Sequence, residues 1–244
     1  MNLAIDIGNT RTKAAVFRDG ALVRHQEWPK GSEPDFFEYA TNQAARNIIL
    51  SNVADAVRPE VQEPLQHHFR FFELHPTTPI PISNQYETPE TLGKDRLAAV
   101  VGAYALFPGQ HCLIVDAGTC ITYDWLTKAG AYLGGNIAPG LSMRLQAMHR
   151  FTARLPEVGS REEADLIGRS TETAMRNGAQ EGIRHEIEGY RQWSVAHLGA
   201  IRVLLTGGDA VFLANKLKSE IFVNQHLVLL GLNKILEYNV KRLE

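Results

Sequence analysis

Apolar positions near the start of the chain come in short runs, without helical periodicity. Leu3-Ala4-Ile5 leads into Asp6-Ile7-Gly8-Asn9-Thr10, and apolar residues resume at Ala14-Ala15-Val16-Phe17. Such runs, bounded by Gly, Asn and Asp, predict strands joined by turns. Asp19-Gly20 is a second turn signal, leading to a strand at residues 21–28 and completing an antiparallel meander. Phe36, Phe37, Tyr39 and Ala40 predict a helix from Pro34 to about Ala45. Residues 47–53 form an apolar run of the kind found in buried parallel strands. A helix over 60–68 and a strand over 70–74 follow.

Residues 75–89 carry Pro76, Pro79, Pro81 and Pro89, which predicts an extended loop or edge strand, because proline removes ladder donors. A helix over 89–107 is expected next, with Thr88 as N-cap, Pro89 in its first turn and Pro108-Gly109 as its stop. A domain boundary is placed there, dividing the chain into 1–109 and 110–244. The second half repeats the order of the first. A hairpin over 111–125 turns at Asp116-Ala117-Gly118-Thr119, and a strand over 131–134 opens a glycine-rich loop, Gly134-Gly135-Asn136-Ile137-Ala138-Pro139-Gly140. Helices over 141–151 and 172–193, a strand over 201–205 and helices over 210–217 and 227–238 complete it. Strands alternating with helices predict an α/β fold with mixed sheets.

Composition narrows the class without naming it. The 244 residues are enough for one large or two modest cores, and 44% hydrophobic with 21% charged residues is ordinary for a globular protein. A net charge of −2 offers no footprint for nucleic acid or an anionic membrane surface. Asp6 interrupts the first apolar run, so no signal peptide is expected, and the longest apolar stretch, 97–107, falls short of the roughly 20 residues that span a bilayer. A cytoplasmic protein is expected. The two cysteines, Cys112 and Cys120, match no zinc spacing and read as buried, inert thiols. The nine histidines form no metal-ligating set.

The candidate chemistry lies at the turns. Gly8 lets backbone N–H groups face an anion, Asn9 and Thr10 add donors, and Lys13 adds positive charge. Asp6 belongs beside a phosphate only with a cation between them; otherwise this is an ordinary turn. Recurrence of the pattern at Asp116-Ala117-Gly118-Thr119 favours two related halves. The pair resembles the superfamily of actin, sugar kinases, acetate kinase and heat-shock ATPases, which grip ATP phosphates between two such hairpins. In that superfamily a glycine pair like Gly207-Gly208 packs against adenosine. No Walker-A lysine motif occurs, which excludes P-loop kinases. Asp95 could accept a hydroxyl proton and Arg96 could clamp a carboxylate, or the two could be a surface pair on a helix.

The segment Tyr86-Glu87-Thr88-Pro89-Glu90-Thr91-Leu92-Gly93-Lys94-Asp95-Arg96 resembles the signature of type III pantothenate kinases. The two hairpins and the 134–140 loop, followed by Thr152-Ala153-Arg154-Leu155-Pro156, stand in that family's order. The resemblance implies two ribonuclease H-like (actin-like ATPase) halves, with mixed five-stranded sheets flanked by helices. It implies ATP-dependent phosphorylation of pantothenate to 4'-phosphopantothenate, the first step of coenzyme A biosynthesis. On the matching positions, Asp6, Ile7, Gly8, Asn9, Thr10, Arg11, Thr12, Lys13 and Thr119 would bind ATP, with Asp6 reaching Mg²⁺ indirectly. Asp116 would hold a monovalent cation, K⁺ or NH₄⁺. Tyr86, Gly93, Lys94, Asp95 and Arg96 would line the pantothenate site, with Asp95 catalytic. A homodimer is implied, with Thr171 reaching the partner's substrate. The alternative is a nucleotide-binding regulatory or accessory protein of the same fold that does not turn pantothenate over.

Overall fold

Strand β1 (Asn2–Ile7) runs antiparallel to β2 (Arg11–Arg18), which turns into β3 (Ala21–Pro29). Asp19 and Gly20 take positive φ, 51° and 80°, as a hairpin matching strand twist requires. This is the predicted meander, seen in a computed structural model that describes residues 1–52, 59–162 and 166–243. Helix α1 (Phe36–Asn42) starts at Asp35, whose carboxylate accepts the Glu38 N–H. Strand β4 (Asn47–Asn52) then pairs parallel with β1, and Val53, the last residue of the predicted strand, lies outside the described residues. After α2 (Pro59–His68), β5 (Arg70–Glu73) pairs parallel with β4, giving the sheet order β3-β2-β1-β4-β5. Leu3, Ile5, Ile48 and Leu50 pack on one face with Phe36 and Tyr39 of α1 and Leu65 of α2.

Within the proline-rich stretch Ser83–Asn84 forms a two-residue edge strand, β6. The helix predicted over 89–107 is broken in two. Pro89–Thr91 make a single 3₁₀ turn, Leu92 is extended, and α3 (Lys94–Leu106) starts afresh with Gly93 as its N-cap. Thr88 does not cap the backbone; its hydroxyl bonds that of Thr91. Leu92 is buried at the junction, and seating it takes the chain out of helical conformation. The break moves residues 94–96 from the middle of a helix to its first turn.

The second sheet is built from β7 (His111–Ala117), β8 (Cys120–Leu126), β9 (Ala131–Pro139), β10 (Ile201–Thr206) and β11 (Phe222–Val223), with α4 (Leu141–Arg150), α5 (Thr171–Leu198) and α6 (Ala210–Ala214) between them. Its order is β11-β10-β7-β8-β9-β6, six strands instead of the expected five. The edge strands β6 and β11 are too short to show alternation in sequence. The expected 134–140 loop is also corrected, since β9 continues to Pro139. Glycines at 134 and 135 carry no side chains to display a period of two. Leu113, Val115, Ile121 and Tyr123 pack beneath Leu141 and Leu145 of α4 and Ile183 and Ile187 of α5.

The chain closes with α7 (Leu227–Leu243), whose Leu229, Leu232, Ile235 and Leu236 pack with Ala4, Ala15, Phe17 and Ile49 and with Ala98 and Val101 of α3. Two compact units result. Unit 1 comprises Met1–Pro108, Gly130–Tyr132 and His226–Glu244, and unit 2 comprises Gly109–Ala129 and Leu133–Gln225. The C-terminal helix therefore belongs with the first unit, not with the second half as expected, because the face it must cover is the α3 side of the first sheet. Among the described residues, no helix is long and apolar enough to cross a membrane.

Candidate active site

In unit 1 the Gly8-Asn9-Thr10 turn is closed by the Gly8 N–H donating to the Arg11 carbonyl at 3.0 Å, and Asn9 and Thr10 are exposed. Asp6 is 9% exposed and stands in register with Lys13 of β2 and Ser51 of β4. Residues paired across strands share a face, so all three side chains leave the sheet on one side, the side of Ala4 and α3. The Ser51 hydroxyl is buried with no hydrogen-bond partner among the described residues. An oxygen left so is unfavourable in a protein alone, and a hydrated cation at Asp6 would satisfy it. The side chains of Arg11 and Thr12 are engaged elsewhere: Arg11 Nη1 lies 3.3 Å from Glu27, and the Thr12 hydroxyl donates to Glu33 at 2.6 Å. Burial works against charge on Glu33, but bonds from Thr12 and the Gly31 N–H outweigh it and hold the carboxyl below its usual range. No local motif marks Glu33; contact with Arg11 or Thr12 at this turn would run through their backbone.

Unit 2 repeats the geometry. The Gly118 N–H donates to the Cys120 carbonyl at 3.0 Å, and Thr119 is exposed. Asp116 stands in register with Thr122 of β8 and Thr206 of β10, putting two hydroxyls beside its carboxylate on one face. The Thr122 hydroxyl, like that of Ser51, is buried without a hydrogen-bond partner among the described residues. An all-oxygen set with an orphaned hydroxyl fits a hard monovalent or divalent cation. Two glycines hem this turn in. A Cβ on Gly140 would overlap the Gly118 and Thr119 carbonyls, and Gly207, at φ 90°, comes equally close to Ala117. Arg161, outside every expected motif, donates to Asp209 at 2.7 Å and to the Gly208 carbonyl at 3.0 Å, fastening the glycine pair expected to meet adenosine.

The Tyr86–Arg96 segment lies in unit 1. Asp95 sits in the first turn of α3, where the helix dipole favours a carboxylate, and its Oδ1 accepts the Arg96 N–H at 2.8 Å. Arg96 is 5% exposed, with its guanidinium 5.4 Å from the centre of the Tyr86 ring. Lys94 pairs with Glu73 at 3.4 Å. Because α3 packs on the face that Asp6 points to, the fold brings residues 94–96 and Asp6 to one side of the first sheet.

Thr171, in unit 2, is the first residue of α5 and exposed, but it is not the cap. Ser170 accepts the Thr173 N–H and the Thr173 hydroxyl accepts the Ser170 N–H, a reciprocal box that leaves no capping role for Thr171. Of the two cysteines, only Cys120 departs from expectation. Cys112 is buried and burial pushes its thiol up to about 12, whereas Cys120 is exposed at the edge of the second turn. A cavity of about 680 Å³ in unit 2 lies between β8–β9 and α5, lined by Trp125, Tyr190, Trp193 and Glu186 as well as Gly134 and Gly135. Asn136 of the same 134–140 segment also lines it, and none of the residues expected to bind ATP, cation or pantothenate is in its lining.

Two sheets, each with a carboxylate-bearing hairpin at its centre, define a fold class shared with ROK hexokinases. A ROK hexokinase from Thermus thermophilus matches with a TM-score of 0.54 at 18% identity, over 98% of this chain and 99% of its own. A Campylobacter jejuni protein described as a Baf family transcriptional activator matches with a TM-score of 0.66 at 25% identity, over 98% of this chain and 99% of its own. Within that class the chain belongs to the type III pantothenate kinase family, whose model matches residues 2–192. The type III pantothenate kinase of Bacteroides fragilis is 44% identical over 244 residues, covering 100% of both chains.

Proposed function

We propose that this chain transfers the γ-phosphoryl group of ATP to the primary hydroxyl of pantothenate, giving 4'-phosphopantothenate in the cytoplasm as the first step toward coenzyme A. The observation that carries this reading is the pairing of Asp95, in the first turn of α3, with a nearly buried Arg96 held against Tyr86. An arginine so withdrawn from water needs an anionic or aromatic partner. Asp95 orients the hydroxyl and takes its proton, while Arg96 holds the substrate carboxylate or a neighbouring oxygen. Phosphoryl transfer gains mainly from positioning and charge neutralisation, so the acceptor need not be a strong base. The backbone of the Gly8–Thr10 turn and Lys13 take the phosphates. Mg²⁺ reached through Asp6, and K⁺ or NH₄⁺ at Asp116 with Thr122 and Thr206, would offset phosphate charge. A regulatory protein of this fold without turnover is the competing reading, prompted by the description of the Campylobacter protein; such a protein has no use for Asp95 beside a buried Arg96.

Purified protein is expected to consume ATP only when pantothenate and a divalent cation are both present, with no turnover on a panel of hexoses. Turnover of a hexose but not pantothenate would overturn the assignment. In the same assay the rate should fall when Na⁺ replaces K⁺ or NH₄⁺, and equal rates would leave Asp116 a structural residue.

The working form we propose is a homodimer in which Thr171 reaches the partner's substrate. Since Ser170 and Thr173 supply the helix cap, Thr171→Ala should raise KM for pantothenate with little loss of stability. Mixing Thr171→Ala chains with Asp95→Asn chains provides the decisive measurement. A shared site gives one intact centre per mixed dimer, and the KM returns to the wild-type value. A KM that stays at the Thr171→Ala value places Thr171 in its own chain's site.

A further inference from the structure

Tyr132 is fully buried on β9, and nothing in its local sequence sets it apart from a core strand residue. Its surroundings do. The Tyr132 ring lies parallel to that of Tyr86, with an interplanar angle of 3° and centroids 6.2 Å apart, an offset stack. On the backbone, Tyr132 is paired with Asn84 in the β6–β9 ladder, and its carbonyl accepts the Gln85 N–H at 2.9 Å. The Ser83 N–H donates to the Gly130 carbonyl at 2.9 Å, and the Asn84 side chain accepts the Tyr86 N–H at 3.0 Å. Residues 83–85, leading into Tyr86, are thus tied through their backbone to residues 130–132. Tyr86 in turn packs against the Arg96 guanidinium, an attraction that strengthens when the cation is out of water, as Arg96 is.

We infer that Tyr132 is a positioning residue for the pantothenate site: it fixes the plane of Tyr86, and through Tyr86 the direction of the Arg96 guanidinium. The inference rests on residues 86–96 being the pantothenate site. It assigns to β6, an otherwise negligible strand, the task of presenting Tyr86 at a set height and angle. A ring at 132 is what matters, because a stacked aromatic face restrains rotation of Tyr86 and an aliphatic side chain of similar bulk does not.

Tyr132→Met keeps a long apolar side chain and removes the ring, and Tyr132→Phe keeps the ring. The Met variant should raise KM for pantothenate about tenfold with KM for ATP unchanged, and the Phe variant should restore wild-type KM. Tyr86→Leu alone should raise the pantothenate KM, and adding Tyr132→Met should raise it no further, because Tyr132 acts through Tyr86. Additive effects in that cycle, or a Met variant with wild-type KM, would overturn the inference. Should the Met variant fail to fold, Tyr132→Leu carries the same comparison, and collapse of both while the Phe variant is normal makes Tyr132 a packing residue and ends the proposal. Arg96→Ala separates the two levels: an unchanged pantothenate KM there removes the site reading itself, whereas a raised one beside an unaffected Tyr132→Met removes only the role of Tyr132.

Discussion

Asp95→Asn should lower kcat by about 10²- to 10⁴-fold while changing the affinity for ATP by less than about twofold. The exchange conserves size, and Asn Oδ1 can still accept the Arg96 N–H that Asp95 holds at 2.8 Å, so the start of α3 survives. Losing the carboxylate from the first turn forfeits only about 0.3–1 kcal/mol of interaction with the helix dipole. What disappears is the carboxylate proposed to accept the proton of the substrate hydroxyl. Steady-state kinetics paired with calorimetric titration of ATP tests this directly. A kcat near the wild-type value would mean that another group orients the hydroxyl.

Gly231→Ala should destabilise unit 1 by about 1–3 kcal/mol, although alanine is intrinsically the better helix former by about 1 kcal/mol. A Cβ at 231 would fall on the Ala98 carbonyl of α3. That obstacle is backbone, which no rotamer change can relieve, so α3 and α7 would have to part and the shared core around Ala98, Leu232 and Ile235 would open. Gly178→Ala in α5 is the matched control, because nothing lies within 4 Å of a Cβ there, and it should be neutral or stabilising. Equal effects of the two substitutions in denaturant melts would show that the helices do not meet so closely in solution.

Much of this protein is written in neighbouring residues. The hairpins around Asp6 and Asp116 are legible because turn residues, flanking apolar runs and carboxylate are consecutive, and hairpin pairing is local. The grouping of Tyr86 with Gly93, Asp95 and Arg96 is legible as one short segment of unusual composition. The break between Leu92 and Gly93 was not legible, since proline, threonine and the apolar run that follows all favour one continuous helix. Burial of Leu92 decides otherwise. Cys120 likewise reads as a core thiol by its neighbours and stands exposed.

By itself the sequence determined the order of the longer strands and most helices, the two carboxylate turns and the chemical character of residues 86–96, because these follow from local backbone preference and side-chain type. Tertiary structure alone decided the company each of them keeps. It set Ser51 beside Asp6 and Thr206 beside Asp116, Glu33 under Thr12, Tyr132 behind Tyr86, and α7 on the first sheet. Those pairings join residues far apart in the chain, and nothing in a local window encodes them. They emerge only when each apolar face finds the surface that buries it, carrying the polar residues between those faces into place.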